Sequence, residues 1–303
     1  MPLDPDVVAM LEQLPPFDPS LSPGAARVAG RARQALRPGD QRVQAVDLSI
    51  PGPAGAIPAR HYVASDGNPS RGALVYYHGG GFVLGDLDSH DGICRDLAAG
   101  SDAAVLAVDY RLAPEHPFPA GVEDAWAALA WAHEQASALG AEPGNLAVGG
   151  DSAGGNFAAV VALMARDAGV PLRLQVLVYP VTDETEERRA ARAGDDAGIF
   201  LTTAAMDWFE GHYGADRGDW RASPLLAEDL AGVAPAVVLT CEYDLLRAEG
   251  DEYAQRLEAA GVPVAHRAYP GLVHGVLGMG SLVPAAQALM DECCTALRRS
   301  LGA

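Results

Sequence analysis

The chain has 303 residues, 49% hydrophobic and 20% charged, with 21 basic and 40 acidic side chains and a formal charge of -19. That balance supports a folded core and excludes wholesale disorder, and the acidity opposes both a phosphate backbone and an anionic lipid surface, so neither nucleic-acid binding nor stable membrane association is expected. No run approaches the ~20 apolar residues that cross a bilayer, Met1-Pro2-Leu3-Asp4-Pro5-Asp6 lacks the basic and apolar parts of a leader, and Cys94, Cys241, Cys293 and Cys294 show no metal or disulfide spacing; a cytoplasmic protein is expected.

Val7, Val8, Leu11 and Leu14 recur at helical spacing over 4–14, and Pro15-Pro16 stops that helix. A second helix, rich in Ala and Arg, spans 24–36 and is followed by Gly39. The period then changes. Residues 43–50 and 57–63 alternate like half-buried strands around the turn Pro51-Gly52-Pro53-Ala54-Gly55. After a polar loop at 65–71, nearly unbroken apolar runs follow at 73–77, 103–108, 146–148, 174–179 and 236–239, with a last strand at 264–269. Such runs suit strands covered on both faces. Helices are expected at 89–99, 119–139, 153–168, 245–260 and 282–301. The last has an apolar face that either packs on the sheet or supports a homodimer. The alternation predicts an α/β fold with a mainly parallel sheet wrapped on both sides, preceded by two antiparallel strands. Residues 182–223 break the rhythm. They hold the charges Asp183, Glu184, Glu186, Glu187, Arg188, Arg189 and Arg192, then a helix at 202–213 with Met206, Trp208 and Phe209. An insertion of that length is usually a lid or a mobile loop.

Gly150-Asp151-Ser152-Ala153-Gly154 lies between a strand and an Ala-rich helix. A G-x-S-x-G in that context is a nucleophile elbow. The serine must protrude from a turn too tight for flanking side chains, so glycines flank it, and the helix start supplies a dipole and a free N–H. His78-Gly79-Gly80-Gly81 follows the strand 73–77. Its glycines let backbone N–H groups approach a ligand, forming the second half of an oxyanion hole with the Ala153 N–H. No Gly-Lys-Ser/Thr follows, so a phosphate loop does not fit.

On such a sheet the acid and then the histidine follow the serine in chain order. His266 falls inside the strand 264–269, whereas His274 falls beyond its end, where catalytic residues of open α/β sheets gather. His274 is therefore the preferred base. Glu242 and Asp244 both follow the strand 236–239; Asp244, at the start of a helix, is the better-placed orienter, and Asp251 reads as a solvated helix residue.

The segments His78-Gly79-Gly80-Gly81 through His90-Asp91, Asp109-Tyr110-Arg111 through Ala120, and Gly150 through Gly154-Gly155-Asn156 resemble the bacterial hormone-sensitive-lipase family of esterases, over essentially the whole chain. The resemblance implies an α/β-hydrolase fold of about eight strands with a helical cap. The cap would come from residues 1–40 and 182–223, and the core of the single catalytic domain from 41–181 and 224–303. It implies an oxyanion hole from the amides of Gly80, Gly81 and Ala153, and a Ser152–His274–Asp244 triad. The acid motif departs at Leu245, where Pro is common, and the histidine motif at Val276, where Phe is usual. The function implied is hydrolysis of small-molecule carboxylic esters with short to medium acyl chains, through an acyl-enzyme and without metal or cofactor. Met206, Trp208 and Phe209 line the pocket or pack the cap in this reading. An amidase or deacylase with the same triad, and a receptor that has lost catalysis, are the alternatives.

Overall fold

A computed structural model describes residues 2–14, 16–32, 37–64, 71–192 and 198–302. Pro15, the end of the helix expected over 24–36, the loop 65–70 and residues 193–197 of the insertion lie outside the described residues.

Two helices come first, α1 (Pro5–Gln13) and α2 (Pro23–Ala32). Asp4 caps α1 by accepting from the Asp6 N–H, and Pro5 at the first helical position loses nothing because that N–H has no partner in a helix. The hairpin β1 (Val43–Gly52) and β2 (Gly55–Ala64) follows. Then come β3 (Ala73–Tyr77), α3 (Asp91–Ser101), β4 (Ala104–Val108), α4 (Ala120–Glu134), β5 (Leu146–Asp151), α5 (Ala153–Ala168) and β6 (Leu174–Val178). The insertion carries α6 (Glu186–Arg192) and α7 (Thr203–Tyr213), and β7 (Ala236–Tyr243), α8 (Arg247–Ala259), β8 (Val264–Val273) and α9 (Gln287–Leu301) complete the chain. The strands form one eight-stranded sheet in the order β1-β2-β4-β3-β5-β6-β7-β8. β2 is antiparallel to β1 and β4, and the remaining pairs are parallel.

Every residue of β3, β4, β5 and β6 is buried. Alternation divides them between two layers. Ala73, Val75 and Tyr77 pack with α4 and α5, while Leu74 and Tyr76 pack with α3 and α9. The apolar face of α9, Leu289, Cys293 and Leu297, is therefore covered by the sheet, and a homodimer would need another surface. No helix among the described residues is long and apolar enough to cross a membrane.

Several boundaries differ from the sequence expectation. The helix expected at 89–99 runs to Ser101, where Asp102 takes the left-handed conformation and ends it. The helix expected to residue 139 stops at Glu134 and continues as a 3-10 turn, Ala136–Leu139. The helix expected from 282 starts at Gln287, after a 3-10 turn at Pro284–Ala286. β7 and β8 each run four residues further than the apolar signal. β8 absorbs Pro270 because it is an edge strand, where a missing N–H costs no ladder bond.

The N-terminal helices do different jobs. α1 packs on the β8 side through Val7 and Met10, and the Asp4 N–H donates to the Gly271 carbonyl. Phe17 and Leu21, ahead of α2, instead meet α7, whereas α2 reaches Val83, Ala113 and Glu115 through Arg27 and Asp86 through Arg31. Phe17 packs its ring against Trp208 and Phe209 with centroids 4.9 and 5.1 Å apart, and the Trp208 indole donates to the Leu21 carbonyl at 3.2 Å. Within the insertion, buried Arg192 donates to Glu249 of α8 (2.5 Å), Glu210 of α7 (2.9 Å) and the Asp183 carbonyl (2.6 Å). One guanidinium thus joins α6, α7 and α8.

Candidate active site

Ser152 sits between β5 and α5 with φ 56° and ψ -119°. A non-glycine residue at positive φ is strained, and the surrounding contacts must hold it. Its N–H donates to the Val178 carbonyl, and its own carbonyl accepts from Asn156 and Val181. A Cβ on Gly154 would lie 1.9 Å from the Tyr77 carbonyl oxygen, and one on Gly150 would lie 2.4 Å from the same atom. The flanking glycines are there because β3 passes too close for anything larger.

The Ser152 hydroxyl lies 3.0 Å from His274 Nε2, and His274 Nδ1 lies 2.8 Å from Asp244 Oδ2. Asp244 stands just beyond β7 and His274 just beyond β8. The other Asp244 oxygen accepts from the Leu246 N–H at 2.9 Å, which fixes the carboxylate plane. Tyr179 packs its ring against His274 with centroids 4.6 Å apart. Asp244 and His274 are 2% and 8% exposed, so the pair works in a low-dielectric setting.

The weaker candidates lie elsewhere. Glu242 accepts from the Gly271 N–H across β7 and β8. His266 bonds to Asp251, which also accepts from Thr240; Asp251 is a partner of both strands rather than a solvated helix residue. Leu245 is buried in the core. Val276 is likewise buried, and the wall beside His274 is made by Gly275, Phe200 and Met279.

Gly80 and Gly81 have φ values of 126° and 58°, and a Cβ on either would collide with the Leu84 carbonyl or the Phe209 ring at 2.3 Å. Among the described residues, the amides of Gly80, Gly81 and Ala153 have no protein acceptor. The loop is held by its neighbours. Asp151 accepts from the Gly79 N–H (3.0 Å) and the Tyr76 hydroxyl (2.6 Å), and His90 Nε2 lies 3.5 Å away. Burial would raise the Asp151 pKa, but His90, the Tyr76 hydroxyl and Arg37 outweigh it and hold the carboxyl well below the usual range. His78 Nδ1 donates to the Gly79 carbonyl at 2.9 Å, and the ring stacks on Tyr110 at 4.2 Å, whose hydroxyl donates to the His78 carbonyl at 2.7 Å. Sequence reasoning missed Tyr76, His90 and Tyr110 as supports. Only the conspicuous stretch from Asp109 to Ala120 hinted at one of them.

Burial, with His90 adding to it, pushes His78 down to about 4. A base whose folded pKa is depressed contributes stability above its unfolded value of 6.5, lost as pH falls towards 4. The shift corresponds to about 3 kcal/mol. The stability advantage of the wild type over His78→Asn should therefore shrink as pH falls from 7.5 to 4, read from urea midpoints. An advantage independent of pH would refute it.

Ser152, His274 and the glycine loop open into one cavity of about 220 Å³. Met206 and Phe209 line it, together with Phe17, Val181, Glu184 and Leu201. Trp208 does not. Two residues from Met206 and one from Phe209, it projects from another face of α7 and packs against Phe17 and His212. Of the two readings of Trp208, pocket lining is corrected: it packs against Phe17 and His212 and does not line the cavity. Among the described residues, no group of three or more His, Cys, Asp or Glu could hold a metal ion.

Comparison with known proteins agrees with this geometry. Residues 74–278 match the family model described as alpha/beta hydrolase fold. The carboxylic ester hydrolase LipN of Mycobacterium tuberculosis is 49% identical over 288 residues, covering 91% of this chain and 76% of that protein. An ethyl acetate hydrolase of Pseudomonas putida is 40% identical, covering 84% of this chain and 82% of that one. The structure of a hyperthermophilic esterase from the archaeon Pyrobaculum calidifontis superposes with a TM-score of 0.90 at 39% identity, covering 100% of both chains. With the eight-stranded sheet and the strand-turn-helix at Ser152, these matches establish that the chain belongs to the alpha/beta hydrolase fold family, within its hormone-sensitive-lipase-like esterases.

Proposed function

We propose that the chain is a carboxylic ester hydrolase in which Ser152 is the nucleophile, His274 the general base and acid, and Asp244 the residue that orients and charge-stabilises His274. The observation that carries this is the unbroken relay Ser152 Oγ–His274–Asp244, at 3.0 and 2.8 Å, opening into a cavity beside three amides that have no acceptor among the described residues. His274 takes the serine proton as Oγ attacks the ester carbonyl. The amides of Gly80, Gly81 and Ala153 stabilise the oxyanion, each typically worth roughly 3 kcal/mol. His274 then protonates the departing alcohol, and water repeats the sequence on the acyl-enzyme to release the acid. Relatives named as esterases and ester hydrolases support the reading.

The cap in this reading comes from residues 1–40 and 182–223 and confines the acyl chain, so short to medium chains are the substrates. The four cysteines, all buried and free, suit the reducing cytoplasm. The test is a chain-length series of p-nitrophenyl esters alongside matched anilides. The expected result is a maximum of kcat/KM at short to medium chains and far slower anilide turnover. A rate rising steadily towards long, emulsified esters would contradict the confined pocket, and faster anilide turnover would favour an amidase.

A further inference from the structure

Glu184 stands out in the cavity that holds Ser152. It lines that cavity yet is only 3% exposed. Its N–H donates to Ser223 Oγ, but among the described residues its carboxyl has neither a hydrogen-bond donor nor an ion-pair partner. A buried carboxyl without a partner is costly, and such a group calls for a purpose. The neighbouring charges are already matched to one another: Arg192 binds Glu249 and Glu210, and Arg217 reaches Glu210 and Glu186.

Phe200 approaches Gly275, next to His274, which must reach the leaving alcohol to protonate it. Elsewhere in the lining, Val181 donates its N–H to the Ser152 carbonyl and Phe209 lies against Gly81 of the glycine loop. Glu184 is three residues from Val181, and Glu210, the other carboxylate beside them, is engaged by Arg192.

We propose that Glu184 is a specificity-determining residue whose carboxyl hydrogen-bonds a hydroxyl substituent on the acyl group, making hydroxyacyl esters the favoured substrate class. This rests on the ester-hydrolase reading. A hydroxyl fits in either protonation state: it accepts from the neutral acid and donates to the carboxylate. Burial, reinforced by Glu210 and Glu249 against the pull of Arg192, raises the Glu184 pKa above the usual carboxylate range, so the acid form with its own O–H is favoured near neutrality. A plain alkyl chain against Glu184 leaves the polar group desolvated and unpaired, and a site built to bond a hydroxyl rejects the analogue that lacks it.

The experiment compares kcat/KM for p-nitrophenyl 3-hydroxybutyrate and p-nitrophenyl butyrate, each divided by its rate of hydroxide hydrolysis. The wild type should prefer the hydroxyacyl ester by about tenfold or more. Glu184→Leu should remove or reverse that preference, and Glu184→Gln, which still donates and accepts, should retain most of it. A corrected wild-type ratio near one overturns the proposal without any variant, as does a Leu variant with the wild-type ratio. Turnover of p-nitrophenyl acetate by the wild type tests the underlying reading separately. No turnover of any ester sinks that reading, whereas good turnover with a flat hydroxyl ratio sinks only the role of Glu184.

Discussion

Ser152→Ala should lower kcat on a p-nitrophenyl ester by about 10⁶-fold, leaving a folded protein that a fluorophosphonate probe no longer labels. The size of the loss follows from the relay acting as one unit. Once the nucleophile is gone, His274 and Asp244 have nothing to activate, and removing the serine costs nearly as much as removing the whole relay. What remains comes from the amides of Gly80, Gly81 and Ala153, which still meet a developing oxyanion. The fold should tolerate the change. The strain at Ser152 resides in its backbone, and its N–H and carbonyl bonds to Val178, Asn156 and Val181 do not involve the hydroxyl. Retained activity in the alanine variant would overturn the nucleophile assignment. So would labelling that persists at another residue.

Asp244→Asn should cost about 10⁴-fold in kcat with little change in KM. The geometry says why. One Asp244 oxygen accepts from the Leu246 N–H and the other faces His274 Nδ1. An asparagine can satisfy Leu246 only with its carbonyl oxygen, so its NH₂ is turned towards the histidine. Nδ1 must then accept and Nε2 carries the proton, so His274 can no longer take one from Ser152. Loss of the negative charge also leaves the imidazolium unsupported in a buried site. If the asparagine variant keeps more than about a tenth of the wild-type kcat, Asp244 is not the orienting group; that bound allows one decade of the loss expected from the wrong tautomer.

Much of the fold could be read from the chain because its signals are local. The apolar runs at 73–77 and 174–179 mark buried parallel strands whichever strand lies next to them, and the elbow reveals itself through glycines forced by a neighbouring backbone. Ser152, Asp244 and His274, which the fold brings within hydrogen-bond distance of one another, stood out as candidates because serine, acid and histidine fall in a fixed chain order at the carboxyl ends of strands. The supports could not. The stack of His78 on Tyr110 joins residues 32 apart, and Arg192 meets Glu249 across 57 residues. Nothing in the spacing of either pair announces it. Trp208 fails for a related reason. Helical periodicity says which residues share a face with Met206, but not which face the cavity occupies. Glu184 lies inside a run of charges in the insertion, and only packing against the core shows that its carboxyl is enclosed.

The aromatic clasp between Phe17, Leu21 and α7 has a consequence for how the molecule is made. The Trp208 indole and its acceptor at Leu21 are 187 residues apart. During synthesis Phe17 and Leu21 leave the ribosome early, and their partners on α7 emerge about 10 to 40 s later. Through that interval Phe17 and its neighbours have no aromatic surface to cover them, and the cavity lacks a wall. The binding chamber is therefore among the last parts of the molecule to close, although one side of it is among the first parts to be translated.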